Sequence, residues 1–157
     1  MSSDILGGSM ERPNVRGTLK LVILDLLREP NHGYGVMAEM EGLYGVKLSA
    51  GTIYPILASL RRSGLIEVAE KGKRERKTYV ITKKGLEYLE RHNEELKEAK
   101  RKMKAYKLFL ELGGEELKEA FKELFSRIEE LDKGQKGELE ELFKDCARQI
   151  RLIILGE

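Results

Sequence analysis

The most constraining feature of the chain is a change of hydrophobic period within its first half. Up to Leu60, apolar residues recur every three or four positions, which predicts amphipathic helices. Segments 65–70 and 77–82 are instead short and rich in β-branched residues, which predicts two strands. The basic, glycine-containing segment 71–76 between them predicts a hairpin turn. A succession of helices followed directly by a hairpin leaves few folds open.

Three helices are predicted before the hairpin, over residues 11–28, residues 34–43 and a third segment that begins near Thr52. Since a proline lacks the backbone N–H that a helix interior needs, Pro55 fits either the first turn of the third helix or a distorted turn. We expect the hydroxyl of Ser49 to cap this helix. The buried stripe of the third helix is predicted to be Ile53, Ile56, Leu57 and Leu60.

Composition excludes two broad classes of protein. The chain is 41% hydrophobic and 36% charged, which argues against a disordered tail. Its longest unbroken apolar runs have four residues, far short of the roughly twenty that span a bilayer. The single cysteine allows no internal disulfide, so we expect a cytoplasmic protein. Abundant Lys and Glu without Trp suit a thermophile.

The charge is distributed unevenly along the chain. The formal net charge is only +2, yet residues 61–84 contain nine basic and three acidic residues. This basic stripe covers the end of the third helix and the hairpin. Lys and Arg clustered in this way are typical of a surface that attracts the phosphates of a nucleic acid.

From Thr82 onwards the sequence predicts helices only. Leu89, Leu96, Met103 and Leu110 are spaced by seven, and His92, Ala99 and Tyr106 interleave with them. This heptad seam predicts a partner helix and ends at Gly113. Two further helices are predicted over 117–131 and 139–154, joined by the polar loop 132–137. They pack either within one chain or across a dimer.

Three helices and a hairpin form a winged helix-turn-helix, whose third helix reads DNA. Small residues at the start of that helix, Gly51 and Thr52, allow a close approach to phosphate. The exposed side of the helix is predicted to present Thr52, Tyr54, Ser59, Arg61 and Arg62. The wing offers Lys71, Lys73, Arg74, Arg76 and Lys77, and Arg16 and Lys20 are further candidates for DNA contact.

Several motifs carry a family resemblance. They are Leu19-Lys20, His32-Gly33-Tyr34-Gly35, Leu48-Ser49-Ala50-Gly51-Thr52-Ile53-Tyr54-Pro55-Ile56-Leu57, Gly64-Leu65-Ile66 and Tyr79-Val80-Ile81-Thr82-Lys83-Lys84-Gly85. In this order and spacing, over roughly residues 16–90, the chain resembles the PadR family of transcriptional regulators. The resemblance implies a homodimer that represses by binding a pseudo-palindromic operator in double-stranded DNA. It also implies that Tyr34, Ser49, Thr52 and Tyr54 lie near the DNA backbone.

The resemblance further implies that the C-terminal helices form the dimer. The predicted dimerisation residues are Leu89, His92, Leu96, Ala99, Met103, Tyr106, Leu110, Ile150, Ile153 and Ile154. A small aromatic or hydrophobic effector would fit beside Met103, Tyr106 and Phe109. The chain has no Trp, whereas members of the short subgroup often hold planar drugs with one.

The sequence offers no signature of an enzyme or of a metal protein. His32, His92 and Cys146 are the soft-ligand candidates, and their spacing matches no metal motif. No phosphate-binding loop or nucleophile elbow is present. We therefore expect no catalytic activity, no cofactor and no metal. The alternative function is a winged-helix adaptor that binds a protein partner instead of specific DNA.

The predicted fold class is mainly α with a small β-hairpin. Residues 1–9 are interpreted as a leader or a cloning remnant. Residues 10–85 are predicted to form the winged helix-turn-helix domain, and residues 86–157 the helical dimerisation and regulatory region.

Overall fold

The computed structural model describes residues 15–71 and 76–156. The predicted leader and the start of the first predicted helix lie outside these residues. In chain order the elements are α1 (Val15–Leu26), β1 (Asn31–His32), α2 (Gly33–Tyr44), α3 (Ala50–Arg62), β2 (Ile66–Lys71), β3 (Lys77–Ile81), α4 (Lys83–Arg91), α5 (Asn93–Phe109), a kinked turn (Leu110–Gly114), α6 (Glu115–Arg127), a 3₁₀ turn (Ile128–Glu130) and α7 (Lys133–Leu155).

The predicted fold class is confirmed, with one strand more than the sequence indicates. β2 and β3 form the antiparallel hairpin, with a register shift between Val68 and Glu70. β1 adds a third strand on the other side of β3, where Asn31 pairs with Tyr79. A strand of two residues is too short to show the alternation by which strands are recognised in sequence.

One hydrophobic core joins the three N-terminal helices, the sheet and the next two helices. Its most completely buried side chains are Val22, Ile23, Leu24, Leu27, Val36, Met40, Ile53, Leu57, Ile66 and Leu89. The apolar stripe of α1 therefore faces inwards along its length, as its period of three to four residues predicts. The same core also contains Leu96 and Ala99 of α5.

Pro55 lies inside α3 and not in its first turn. The helix begins at Ala50, so the alternative in which a regular helix starts at Thr52 with Pro55 in its first turn is not what forms. The pyrrolidine ring is exposed, and Pro55 has no N–H to donate to the carbonyl of Gly51, four positions earlier.

The long C-terminal seam is interrupted at His92. α4 ends at Arg91 and α5 begins at Asn93, with His92 at φ −108° and ψ 23° between them. The imidazole packs on the Tyr88 ring at a centroid distance of 4.3 Å, and its Nδ1 lies 3.2 Å from Glu95 Oε1. The continuous helix predicted from the heptad spacing is thus two helices.

Two hydrogen bonds connect α5 to α1 and α2. Lys100 Nζ donates to Asp25 Oδ2 of α1 at 2.9 Å, and Lys107 Nζ donates to the Gly42 carbonyl of α2 at 2.7 Å. Together with buried Leu96 and Ala99, they make α5 part of the N-terminal unit. This unit extends to Leu112, and residues 113–157 form a second compact unit.

The second unit consists of α6, the 3₁₀ turn and α7. Its first residue, Gly113, has a φ of 99°, which favours glycine. Asp132 caps α7 in a reciprocal capping box with Gln135, so the helix begins at Lys133 and most of the polar loop predicted over 132–137 is helical. The rings of Phe121 and Phe143 lie 5.9 Å apart. No residue of α6, the 3₁₀ turn or α7 is buried among those described.

Candidate nucleic-acid interface

The outward face of α3 is determined by its inward face. Ile53, Ile56, Leu57 and Leu60 are all buried, as predicted. With 3.6 residues per turn, this stripe turns the remaining positions towards solvent. The exposed residues of α3 are Ala50, Gly51, Thr52, Tyr54, Pro55, Ala58, Arg61 and Arg62.

The start of α3 carries two side-chain hydroxyls, those of Ser49 and Thr52. Ser49 occupies the N-cap position, but its hydroxyl accepts no backbone N–H and lies 3.1 Å from the Thr52 hydroxyl instead. The Ser49 carbonyl accepts the N–H groups of Thr52 and Ile53, each at 3.0 Å. The prediction of a Ser49 hydroxyl cap is therefore wrong. Both hydroxyls are exposed, where they can reach a ligand.

A groove separates α3 from β3. Its larger part, of about 540 Å³, is lined by Tyr54, Ala58, Arg61, Arg62, Lys77 and Tyr79. A smaller part, of about 320 Å³, is lined by His32, Gly33, Tyr34, Tyr54, Arg76, Lys77 and Tyr79. Tyr54, Lys77 and Tyr79 line both parts. We call these two adjacent depressions together the α3–wing groove.

The α3–wing groove is strongly cationic. Arg61, Arg62, Arg76 and Lys77 line it, and neither set of lining residues contains an Asp or a Glu. Neither Arg61 nor Arg62 pairs with the Glu67 carboxylate, and none of the four cations meets a carboxylate of the described residues within 4.0 Å. Their charges remain available to a phosphate.

Two tyrosines stand at the edge of the groove and a third forms its floor. Tyr34 is 58% exposed and Tyr54 is 40% exposed, and their rings meet edge to face at 6.3 Å. Tyr79 is only 9% exposed, in agreement with the packing role that a strand residue suggests. Tyr34 and Tyr54 thus present phenol hydroxyls beside the cations, where a phosphate oxygen can accept a hydrogen bond.

The entry to α2 is capped by a histidine, which the sequence offered only as a soft-ligand candidate. His32 is the N-cap, and its Nδ1 accepts the Gly35 N–H at 3.0 Å. This geometry assigns the ring proton to Nε2, because an accepting Nδ1 carries none. No signal in the sequence marks this cap, because histidine is not among the residues that favour the N-cap position.

Three more residues predicted to contact DNA lie on α1 and β2. Lys20 Nζ donates to the Ser59 hydroxyl at 2.7 Å, so this lysine joins α1 to α3 and Ser59 is half-buried. Arg16 lies in the first turn of α1, and Lys71 ends β2. Lys73 and Arg74, which the sequence predicts for the wing, lie outside the described residues.

The predicted dimerisation residues fall into two groups. Leu89, Leu96 and Ala99 are buried in the core of their own chain, where Met103 packs against them. His92 separates α4 from α5, and Tyr106 and Leu110 lie further along this unit. The remaining residues, Ile150, Ile153 and Ile154, are exposed on α7 of the second unit.

No three His, Cys, Asp or Glu side chains between residues 15 and 71 or 76 and 156 come together as metal ligands would. Within the same ranges, no helix combines the length and the apolar character needed to cross a membrane.

A helix-turn-helix whose exposed third helix faces a basic hairpin defines a winged-helix DNA-binding domain. Comparison with known proteins identifies the family. Residues 22–91 match the transcriptional regulator PadR-like family. The chain is 33% identical to a PadR-like transcriptional regulator from Bacillus cereus, covering 51% of this chain and 82% of that one, with a TM-score of 0.46. The chain belongs to the PadR-like family and is a DNA-binding transcriptional regulator.

Two further solved structures match the chain at lower sequence identity. A transcriptional regulator from Thermoplasma acidophilum is 27% identical, with 56% of this chain and 88% of that one covered and a TM-score of 0.48. A PadR-like transcription factor from Bacteroides fragilis is 23% identical, with 60% and 95% covered and a TM-score of 0.50, a likeness of fold alone. Among curated proteins, none matches the chain.

Proposed function

We propose that the protein is a homodimeric repressor that binds a pseudo-palindromic operator in double-stranded DNA. In this account α3 enters the major groove and the β2–β3 hairpin follows the adjacent backbone or minor groove. The two α3 helices of a dimer would then lie about one helical turn of DNA apart, roughly 34 Å. Its single cysteine suits the reducing cytoplasm in which such a regulator would act.

The observation that carries this proposal is the cation set of the α3–wing groove. Arg61, Arg62, Arg76 and Lys77 come from two separate elements and line one groove without an intervening carboxylate. The net charge of the chain is only +2, so this cluster is a local excess of positive charge that favours a polyanion. A duplex seated on α3 would place phosphates against both walls.

A second copy of the chain is the partner that best covers α7. Its apolar side chains include Ile153 and Ile154, which are 77% and 76% exposed, and no residue of α6 or α7 is buried among those described. A pair of helices with no buried side chain has little to stabilise it in isolation. Two-fold pairing through α7 would cover these residues and give the two heads that a palindromic operator requires.

Release from DNA would follow from a change in the spacing of the two heads. An effector that binds one dimer geometry more tightly than another shifts the population towards it. Met103, Tyr106 and Phe109 on α5 are the residues we propose for a small aromatic or hydrophobic effector. The rings of Tyr106 and Phe109 lie 6.1 Å apart, and both are exposed beside half-buried Met103.

Selection of bound fragments from genomic DNA tests the proposal. We expect the full-length protein to retain fragments that share an inverted repeat, with half-sites about one or two helical turns apart. Sedimentation of the purified complex should give two chains per duplex. A protein that retains no duplex at low salt, and that instead captures a protein partner directly, would support the adaptor function and contradict ours.

A further inference from the structure

Because glycine has no side chain, residue 33 leaves room for the Tyr54 ring. A Cβ placed on Gly33 would lie 2.9 Å from Cε1, Cζ and Oη of the Tyr54 ring, closer than carbon atoms approach in folded proteins. Gly33 itself is buried at the first position of α2. It is absent from the set of glycines with positive φ, so its backbone conformation does not require glycine. The requirement for glycine comes from the Tyr54 ring.

Gly33 and Tyr54 line the same part of the α3–wing groove. The Tyr34 and Tyr54 rings meet at 78° between planes, and Tyr54 also lines the larger part of the groove. The Tyr54 ring therefore packs against the first residue of α2 at the binding surface. A methyl group added at Gly33 would displace the end of the Tyr54 side chain, which carries the hydroxyl, because the backbone of α2 moves less easily than a side chain.

We propose that Gly33 is a positioning residue for DNA recognition, which sets the direction in which the Tyr54 hydroxyl meets a phosphate. The proposal rests on the proposed function, because Tyr54 is taken to contact the duplex. It gives Gly33 a role in the interface through Tyr54, beside the direct contact expected of Tyr34 from the same helix.

The first test is Gly33→Ala compared with Gly42→Ala. Both glycines lie in α2, but a Cβ on Gly42 would meet nothing within 4 Å. We expect Gly33→Ala to weaken binding to a duplex selected with the wild-type protein about tenfold, which is the loss of one hydrogen bond to a charged group. Gly42→Ala should bind as the wild type does. Wild-type affinity in Gly33→Ala would overturn the proposal.

A double-mutant cycle asks whether the effect passes through the Tyr54 hydroxyl. Tyr54→Phe removes that hydroxyl and keeps the ring. If Gly33 acts by aiming the hydroxyl, Gly33→Ala should cost little further affinity in the Tyr54→Phe protein. Losses that simply add would show that Gly33 acts on DNA binding by another route, and would overturn the proposal.

A measurement without DNA separates this proposal from the proposed function. With 3-fluorotyrosine incorporated, the ¹⁹F signal of Tyr54 is the one missing from Tyr54→Phe. We expect Gly33→Ala to shift this signal while the melting temperature changes little, and Gly42→Ala to leave it in place. An unshifted signal, or a Gly33→Ala protein that fails to fold, would contradict the proposal. Failure of the wild type to bind any duplex would contradict the proposed function alone.

Discussion

Lys100 Nζ lies 2.9 Å from Asp25 Oδ2, although the two residues are 75 positions apart. Asp25 also accepts from Arg28 Nε at 2.8 Å, and its side chain is only 13% exposed. Burial raises the pKa of Asp25, but the hydrogen bonds and charges of Arg28 and Lys100 outweigh it, and the pKa lies below its ordinary value. The Asp25 carboxylate therefore connects α5 to α1.

Asp25→Asn should destabilise the N-terminal unit by about 1–2 kcal/mol at neutral pH, since it removes a half-buried charge that accepts two hydrogen bonds. The pKa of the Asp25 carboxyl is lower in the folded than in the unfolded protein. The carboxylate therefore stabilises the fold at pH values above the unfolded pKa, which is near 4. This stabilisation is lost as the pH falls through the folded pKa. Urea unfolding of both proteins at pH 7 and at pH 3 measures this. If the wild type and Asp25→Asn differed by the same free energy of unfolding at pH 7 and at pH 3, the lowered pKa of Asp25 would be contradicted.

Gly85→Ala should destabilise the protein by at least about 2 kcal/mol, because the new Cβ has no room. It would lie 2.2 Å from the Leu65 carbonyl oxygen and 2.6 Å from Ile81 Cγ1, and a backbone oxygen cannot rotate away as a side chain can. Gly42→Ala provides the control and should stabilise by about 0.5–1 kcal/mol through helix propensity alone. Equal melting temperatures for the two variants would show that the start of α4 is not packed as described.

Gly51→Ala should separate stability from DNA binding. A Cβ on Gly51 would make only an ordinary 3.7 Å contact with Ser49 Oγ, so the free protein should be unchanged or slightly more stable. If α3 approaches the duplex through its first turn, the added methyl group should weaken binding about tenfold or more. Fluorescence anisotropy with a labelled operator, together with a thermal melt, gives both quantities. Undiminished affinity would move the first turn of α3 away from the DNA backbone.

The double substitution Ile153→Asp with Ile154→Asp should convert the proposed dimer into monomers. Burying each isoleucine contributes about 1.5–3 kcal/mol, so the dissociation constant should rise at least about a hundredfold. Lys136→Asp, at an exposed position of the same helix, is the control and should leave the dimer intact. Sedimentation velocity over a range of concentrations distinguishes the two outcomes. A dimer that survives the double substitution would place the interface elsewhere.

Most of the fold could be predicted because its signals are local. The stripe of Ile53, Ile56, Leu57 and Leu60 identifies α3 and its exposed face without any other part of the chain. The cations of the wing could likewise be read from their sequence positions. Their meeting with Arg61 and Arg62 in one groove follows once the hairpin is placed beside α3.

The features that could not be predicted depend on contacts between distant segments. The heptad spacing from Leu89 to Leu110 indicates a buried seam but not its partner, and in the structure Leu96 and Ala99 meet the core of their own chain. The break at His92 has no glycine or proline to mark it. The close contact between Gly33 and Tyr54 could not be predicted either, because the two residues meet only after α2 and α3 have packed.

The central claim is that the cations of the α3–wing groove bind the phosphates of a duplex. The measurement is the salt dependence of operator binding by the wild type and by the variant with Arg61, Arg62 and Lys77 replaced by alanine. A variant with Lys133, Lys136 and Lys144 of α7 replaced by alanine has the same net charge and is the control. Each lost phosphate contact should reduce the slope of log K against log salt by about 0.9. We expect the groove variant to bind more weakly, with a slope shallower by about 2–3, and the control to match the wild type. Equal slopes for the groove variant and the wild type would contradict the account.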